Sequence, residues 1–113
     1  MNLVKKSQTN KFAACQSTTI FEYLMKDPEI SGAVAKINGR YPETGFSLNE
    51  KSKELVYVIE GNGRIIQTNK EITIQIGDVI LLNHNEKFAW EGNMKIFMVT
   101  VPKFDPQQHK IIK

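Results

Sequence analysis

The centre of the chain alternates polar and apolar side chains with the two-residue period of a half-buried strand. Glu71-Ile72-Thr73-Ile74-Gln75-Ile76 does so without a break. Leu55-Val56-Tyr57-Val58-Ile59 is a β-branched and aromatic run, and Gly61-Asn62-Gly63 behind it tolerates positive φ. This pattern predicts a turn between antiparallel strands, with Arg64 to Thr68 as the return strand. Asn69-Lys70 and Gly77-Asp78 predict further turns on either side of 71–76, the second leading into Val79 to Leu82. After the polar loop Asn83-His84-Asn85-Glu86, Lys87 to Glu91 predicts a short aromatic strand. Gly92-Asn93 then predicts a hairpin turn and Met94 to Val101 a last strand, stopped by Pro102.

Upstream, Gly32 to Ile37 predicts a strand that ends at Asn38-Gly39. Ser17 to Lys26 fits two templates. Phe21, Leu24 and Met25 have helical spacing behind a capping Ser17, yet the same residues make a strand buried on both faces. The β signals around it favour the strand. Turns every five to ten residues argue for an all-β fold, a small antiparallel β-barrel or sandwich and not a parallel sheet.

Composition fits one globular domain of 113 residues, 41% hydrophobic and 24% charged. No apolar run reaches the ~20 residues of a membrane helix. No secretory signal is visible, and the single Cys15 allows no internal disulfide, so a cytoplasmic domain is expected. The formal charge of +3 invites a nucleic-acid reading, but its distribution does not support one. Residues 22–102 hold nine Lys/Arg against eleven Asp/Glu, so the basicity belongs to the ends. A duplex binder needs cations on its body, one for each phosphate contact. The expected organisation is a flexible basic segment 1–11, a barrel domain 12–102 and a C-terminal tail 103–113.

The stretch Glu54-Leu55-Val56-Tyr57-Val58-Ile59-Glu60-Gly61-Asn62-Gly63 resembles the close of the first cupin motif, an acid followed after six residues by glycine. Gly77-Asp78-Val79-Ile80-Leu81-Leu82 is similar to the opening of the second. The resemblance covers about residues 32–101 and implies a double-stranded β-helix of the jelly-roll kind. It also implies a metal site of two histidines one residue apart, the motif acid and a third histidine, a set that suits a divalent first-row metal. This chain departs from it. Leu48 and Glu50, or Ser47 and Asn49, occupy the places of the histidine pair, or Lys51 and Lys53 in another register, and Phe88 stands at the third. Glu54 alone remains, and neither a metal nor another cofactor is expected.

Glu54 reads either as a pocket acid or as a strand-start carboxylate paired with a Lys or a backbone N–H. Phe88 and Trp90 share a strand face and read as core packing or as the apolar wall of a binding site. Alternation puts Val56 and Val58 on the Glu54 face and Tyr57 on the other. Asn49, Tyr41 and Arg40 complete the candidate pocket. Lys51, Lys53 and His84 read as solvated surface, His109 as part of a charged tail, and Cys15 as an inert thiol.

The function expected is a metal-free cupin-like domain that binds a small molecule or serves as an interaction module. The alternative is a metal-independent isomerase or epimerase acting on a sugar or sugar nucleotide, using carboxylate, Tyr and His as acid and base. A homodimer is expected, because Phe21, Tyr23, Phe97, Val99 and Val101 exceed what a small barrel can hold. Neither a nucleic-acid nor a membrane partner is expected.

Overall fold

The computed structural model describes residues 1–113. Nine strands form: β1 (Asn10–Cys15), β2 (Thr18–Tyr23), β3 (Ser31–Tyr41), β4 (Phe46–Asn49), β5 (Lys53–Gln67), β6 (Lys70–Gln75), β7 (Val79–Leu82), β8 (Ala89–Val101) and β9 (His109–Ile112). The large sheet runs β1-β2-β3-β8-β5-β6, with β7 also paired to β5, and every pairing is antiparallel. β4 and β9 form a second sheet, joined to the first where Ser47 and Phe88 exchange backbone hydrogen bonds of 2.8 and 2.9 Å. The fold is an all-β, cupin-like barrel.

Two predicted turns and one predicted strand end are continuous strand. Gly61-Asn62-Gly63, Gly92-Asn93 and Asn38-Gly39 lie inside the continuous strands β5, β8 and β3. They stand at one level, with Gly39 opposite Gly92 and Gly92 opposite Gly63. A Cβ on Gly63 would collide with the Glu91 carbonyl, and one on Gly92 with the Gly63 backbone. Glycine is used here for close approach of neighbouring strands along a crease, not for chain reversal.

Between Ser17 and Lys26 the strand reading holds over β2, which pairs with β1 on one side and β3 on the other. The expected boundary at residue 12 cuts through β1, because Asn10 and Lys11 already pair with Glu22 and Phe21. The expected tail is also corrected. Pro106–Gln108 forms a 3-10 turn capped by the Asp105 side chain, and β9 then pairs with β4 along its whole length. Four residues in register with a partner strand satisfy backbone groups that a free tail would leave to water.

The core follows the alternation. Glu54, Val56 and Val58 are buried, while Leu55 and Tyr57 face outward, each 46% exposed. Phe88, Trp90, Met94 and Ile96 of the facing segment join them, with Ala35 and Ile37 from β3. β6 contributes only Ile74; Ile72 on the same edge strand, and Ile76 just beyond it, are exposed. Phe21, expected to need a partner subunit, lies under the ammonium groups of Lys11 and Lys36, 5.6 and 5.2 Å from the ring centre.

Candidate active site

The barrel holds a cavity of about 530 Å³ that opens to solvent beside the exposed Phe12 and Leu24, walled mainly by apolar side chains from β2, β3 and β8. Phe88 and Trp90 form part of that wall, edge to face with ring centres 5.9 Å apart. They belong to the buried core and border the cavity at once.

The cavity's chemistry comes from Tyr41, Glu54 and His109, all in its lining. Tyr41 ends β3, directly across from Trp90 on β8. Glu54 sits between Thr100 of β8 and Leu82 of β7. His109 opens β9, paired with Asn49 at the end of β4. The Tyr41 hydroxyl lies 2.8 Å from His109 Nε2, and His109 Nδ1 lies 2.9 Å from Asn49 Oδ1. Asn49 Nδ2 donates to Glu54 Oε1 at 3.3 Å. One continuous array therefore runs from phenol through imidazole and amide to carboxyl. Phe104 flanks the imidazole, its ring centre 5.7 Å away.

Burial sets the protonation of all three groups. It pushes the Glu54 carboxyl up to about 7, against which the Asn49 hydrogen bond pulls only partly. It pushes the Tyr41 phenol up to about 12, with electrostatic contributions from Cys15 and Glu54 adding to the effect. It also holds His109 below the ordinary imidazole value. Near neutral pH the array therefore holds a neutral imidazole, a protonated phenol and a carboxyl poised between its two forms.

Of the residues singled out in the sequence, Glu54, Phe88, Trp90 and Tyr41 line the cavity, and Asn49 stands behind it, buried and hydrogen-bonded. Arg40 does not join them. It neighbours Tyr41 on a strand whose side chains alternate, so it points the other way, donating to the Pro42 carbonyl at 2.7 Å and lying over Phe46. Lys51 and Lys53 are exposed, as is His84. Cys15 is half-buried beside Ser17. The sequence reading left His109 in a charged tail and did not single out Gln108, and the structure ties both to Asn49. The available signal was Asp105-Pro106, a helical-turn start that places order where a tail was expected.

The donor set does not fit the metal that a cupin-like barrel implies. Of the positions that the cupin pattern gives to ligands, Ser47, Asn49, Glu54 and Phe88 are buried and none is a histidine, and no group of three His, Cys, Asp or Glu residues converges anywhere. Every buried side-chain nitrogen and oxygen already has a hydrogen-bond partner, so no donor is left waiting for a cation.

No family model matches the sequence, and no curated protein matches it. Solved structures do. A Streptomyces Pac13 variant with uridine superposes with a TM-score of 0.88 at 16% identity, covering 98% of this chain and 90% of that one. Another Pac13 structure, described as that of a nucleoside dehydratase, gives 0.87 at 16% identity, with coverage of 98% and 90%. KdgF from Halomonas sp. gives 0.74 at 13% identity over 91% of this chain and 96% of its own. Ectoine synthase from P. lautus gives 0.75 at 16%, with coverage of 100% and 91%. At these identities the likeness establishes the fold alone: the chain is a cupin-like barrel.

Proposed function

We propose that this protein is an enzyme that moves protons on an uncharged small molecule held in the barrel, eliminating water from a hydroxy-carbonyl compound. The carrying observation is the Tyr41–His109–Asn49–Glu54 array set into a large, mostly apolar cavity. A filled structural barrel needs no cavity, and a passive binding pocket needs no carboxyl poised at about 7.

The division of labour follows from the hydrogen bonds. Tyr41 donates its proton toward His109, so the remaining lone pair of the phenolic oxygen is free to accept. A proton taken there from the carbon beside the substrate carbonyl moves the phenolic proton onto His109 Nε2. Protonated Glu54 delivers its proton to the departing hydroxyl as the carbon–oxygen bond breaks. Water and an unsaturated carbonyl compound leave, His109 releases its proton to solvent, and Glu54 regains one.

The lining's charged residues are Glu22, Glu54 and Lys103, and the Lys103 ammonium is engaged by the Met25 carbonyl at 2.9 Å. One occupied cation is a poor site for a diphosphate, which weighs against the sugar-nucleotide alternative. The apolar wall and the Phe88–Trp90 pair favour a neutral ligand with a flat face. The uridine bound to Pac13 supports the same class.

The test is a thermal-shift panel of uncharged nucleosides and hydroxy-carbonyl compounds beside their monophosphates, followed by absorbance assays for a conjugated product. The expected result is stabilisation by an uncharged compound, with turnover that is lost in both Glu54→Gln and Tyr41→Phe. Tighter binding of the phosphorylated partners, or turnover indifferent to both substitutions, overturns the reading.

A further inference from the structure

Gln108 is buried behind the cavity and touches none of it. Its Oε1 accepts from the backbone N–H groups of Lys51 and Ser52, at 3.0 and 3.1 Å. Backbone N–H groups can only donate, so the amide oxygen must face them and Nε2 must face the other way. There it donates to Asn49 Oδ1 at 3.0 Å. Asn49 is thereby oriented as well, with its oxygen toward Gln108 and His109 and its Nδ2 toward Glu54. An oxygen acceptor at 2.9 Å requires a proton on His109 Nδ1. In a neutral imidazole that leaves Nε2 as a lone pair, which fixes Tyr41 as the donor.

We infer that Gln108 is a positioning residue. By relaying the direction of two main-chain amides through Asn49, it holds His109 in the Nδ1–H tautomer. The inference rests on the proposed proton transfer for its use, since that step needs Nε2 free to receive the phenolic proton. It rests on geometry alone for its truth. The ionised form of Glu54 would hold Asn49 the same way round, because it too requires Nδ2 on its side. Gln108 does so in either state of that carboxyl. This separates the tautomer from a group that gains and loses a proton near neutral pH.

The test is nitrogen-15 NMR of the imidazoles at about pH 8, above the ordinary histidine range. The chain has two histidines, and the exposed His84 provides an internal reference. Three proteins are compared without any ligand: wild type, Glu54→Gln, and Glu54→Gln combined with Gln108→Met. The expected result is a pyridine-like Nε2 and a pyrrole-like Nδ1 for His109 in the first two, with both nitrogens moving toward averaged positions in the third. A pyrrole-like Nε2 in wild type or in Glu54→Gln overturns the inference. So does an unchanged Nδ1–H signature in the double variant. If that variant does not fold, Glu54→Gln combined with the isosteric Gln108→Glu takes its place and is expected to show the same averaging, because an ionised carboxylate still accepts from Lys51 and Ser52 but has no N–H to give Asn49. A correct tautomer in a protein that turns nothing over would refute the proposed reaction and leave the lock standing.

Discussion

The Tyr41 hydroxyl and His109 Nε2 meet at 2.8 Å, tying the end of β3 to the start of β9. The contact joins the large sheet to the small one at the lining of the cavity. Removing the hydroxyl in Tyr41→Phe leaves a half-buried imidazole nitrogen without its donor. The expected cost is about 1–2 kcal/mol, measured by urea unfolding. If the proposed reaction holds, turnover is expected to fall far more than a stability loss of this size explains, because the phenolic oxygen that would take the proton is gone.

Glu54 gives the fold a pH dependence of defined sign. Its carboxyl titrates at about 7 in the fold, against 4.5 for the exposed group. The native state therefore binds more protons than the unfolded chain between those values, and stability falls as pH rises through that window. The linked free energy is about 3 kcal/mol. Burial of His109 acts in the opposite direction, adding stability as pH rises toward 6.5. Comparing Glu54→Gln with wild type isolates the carboxyl. The variant is expected to be equal or weaker in acid and more stable above about pH 7, as read by thermal melts across the range.

Phe88→Ala separates wall from filling. Phe88 is buried, yet one side of it borders the cavity, so part of its packing is already absent. The expected loss is about 3 kcal/mol, the low end for a Phe-to-Ala truncation, together with weaker binding of the uncharged ligand. A loss near 5 kcal/mol with unchanged binding would identify it as core alone.

Most of the fold is legible in the sequence because alternation is a local signal. Val56 and Val58 fall inside, and Leu55 and Tyr57 outside, as their period requires. The crease is not legible in this way. Gly92-Asn93 has the composition of a hairpin turn, and only the presence of Gly63 across the sheet shows that its missing Cβ serves contact. The site divides along the same line. Glu54, Phe88 and Trp90 lie on strands with clear faces, whereas His109 sits among charged residues and prolines. It acquires its role through Asn49, 60 residues away. A partner that distant leaves no periodic trace around either residue.

The outward side of β5, β7 and β8 carries Leu55, Tyr57, Val79, Leu81, Phe97 and Val101, all exposed. β5 pairs with both neighbours here, so these side chains form one apolar face. We propose that a second copy of this chain covers it. Light scattering at micromolar protein is expected to report about twice 12.9 kDa. Leu55→Lys combined with Leu81→Lys is expected to return the monomer with its ligand affinity unchanged, because both residues lie outside the cavity lining. A wild-type mass of 12.9 kDa overturns this.

Gly63→Ala tests the crease. The added methyl meets the Glu91 carbonyl and the Gly92 backbone, neither of which can rotate away. A loss of about 3 kcal/mol is expected. An alanine at Gly77 meets no atom and is opposed only by the positive φ of 92°, so it is expected to cost less, about 1–2 kcal/mol.

That crease also governs how the molecule comes apart. β3, β5 and β8 pass through it unbroken. Residues 54–57 of β5 bond to β7 while residues 62–67 of the same strand bond to β6, and β8 spans both stretches. No seam runs between the two halves of the barrel along which one could peel from the other. Amide protons on either side of the glycine row should therefore exchange with the same free energy of opening, and the barrel should melt as one unit.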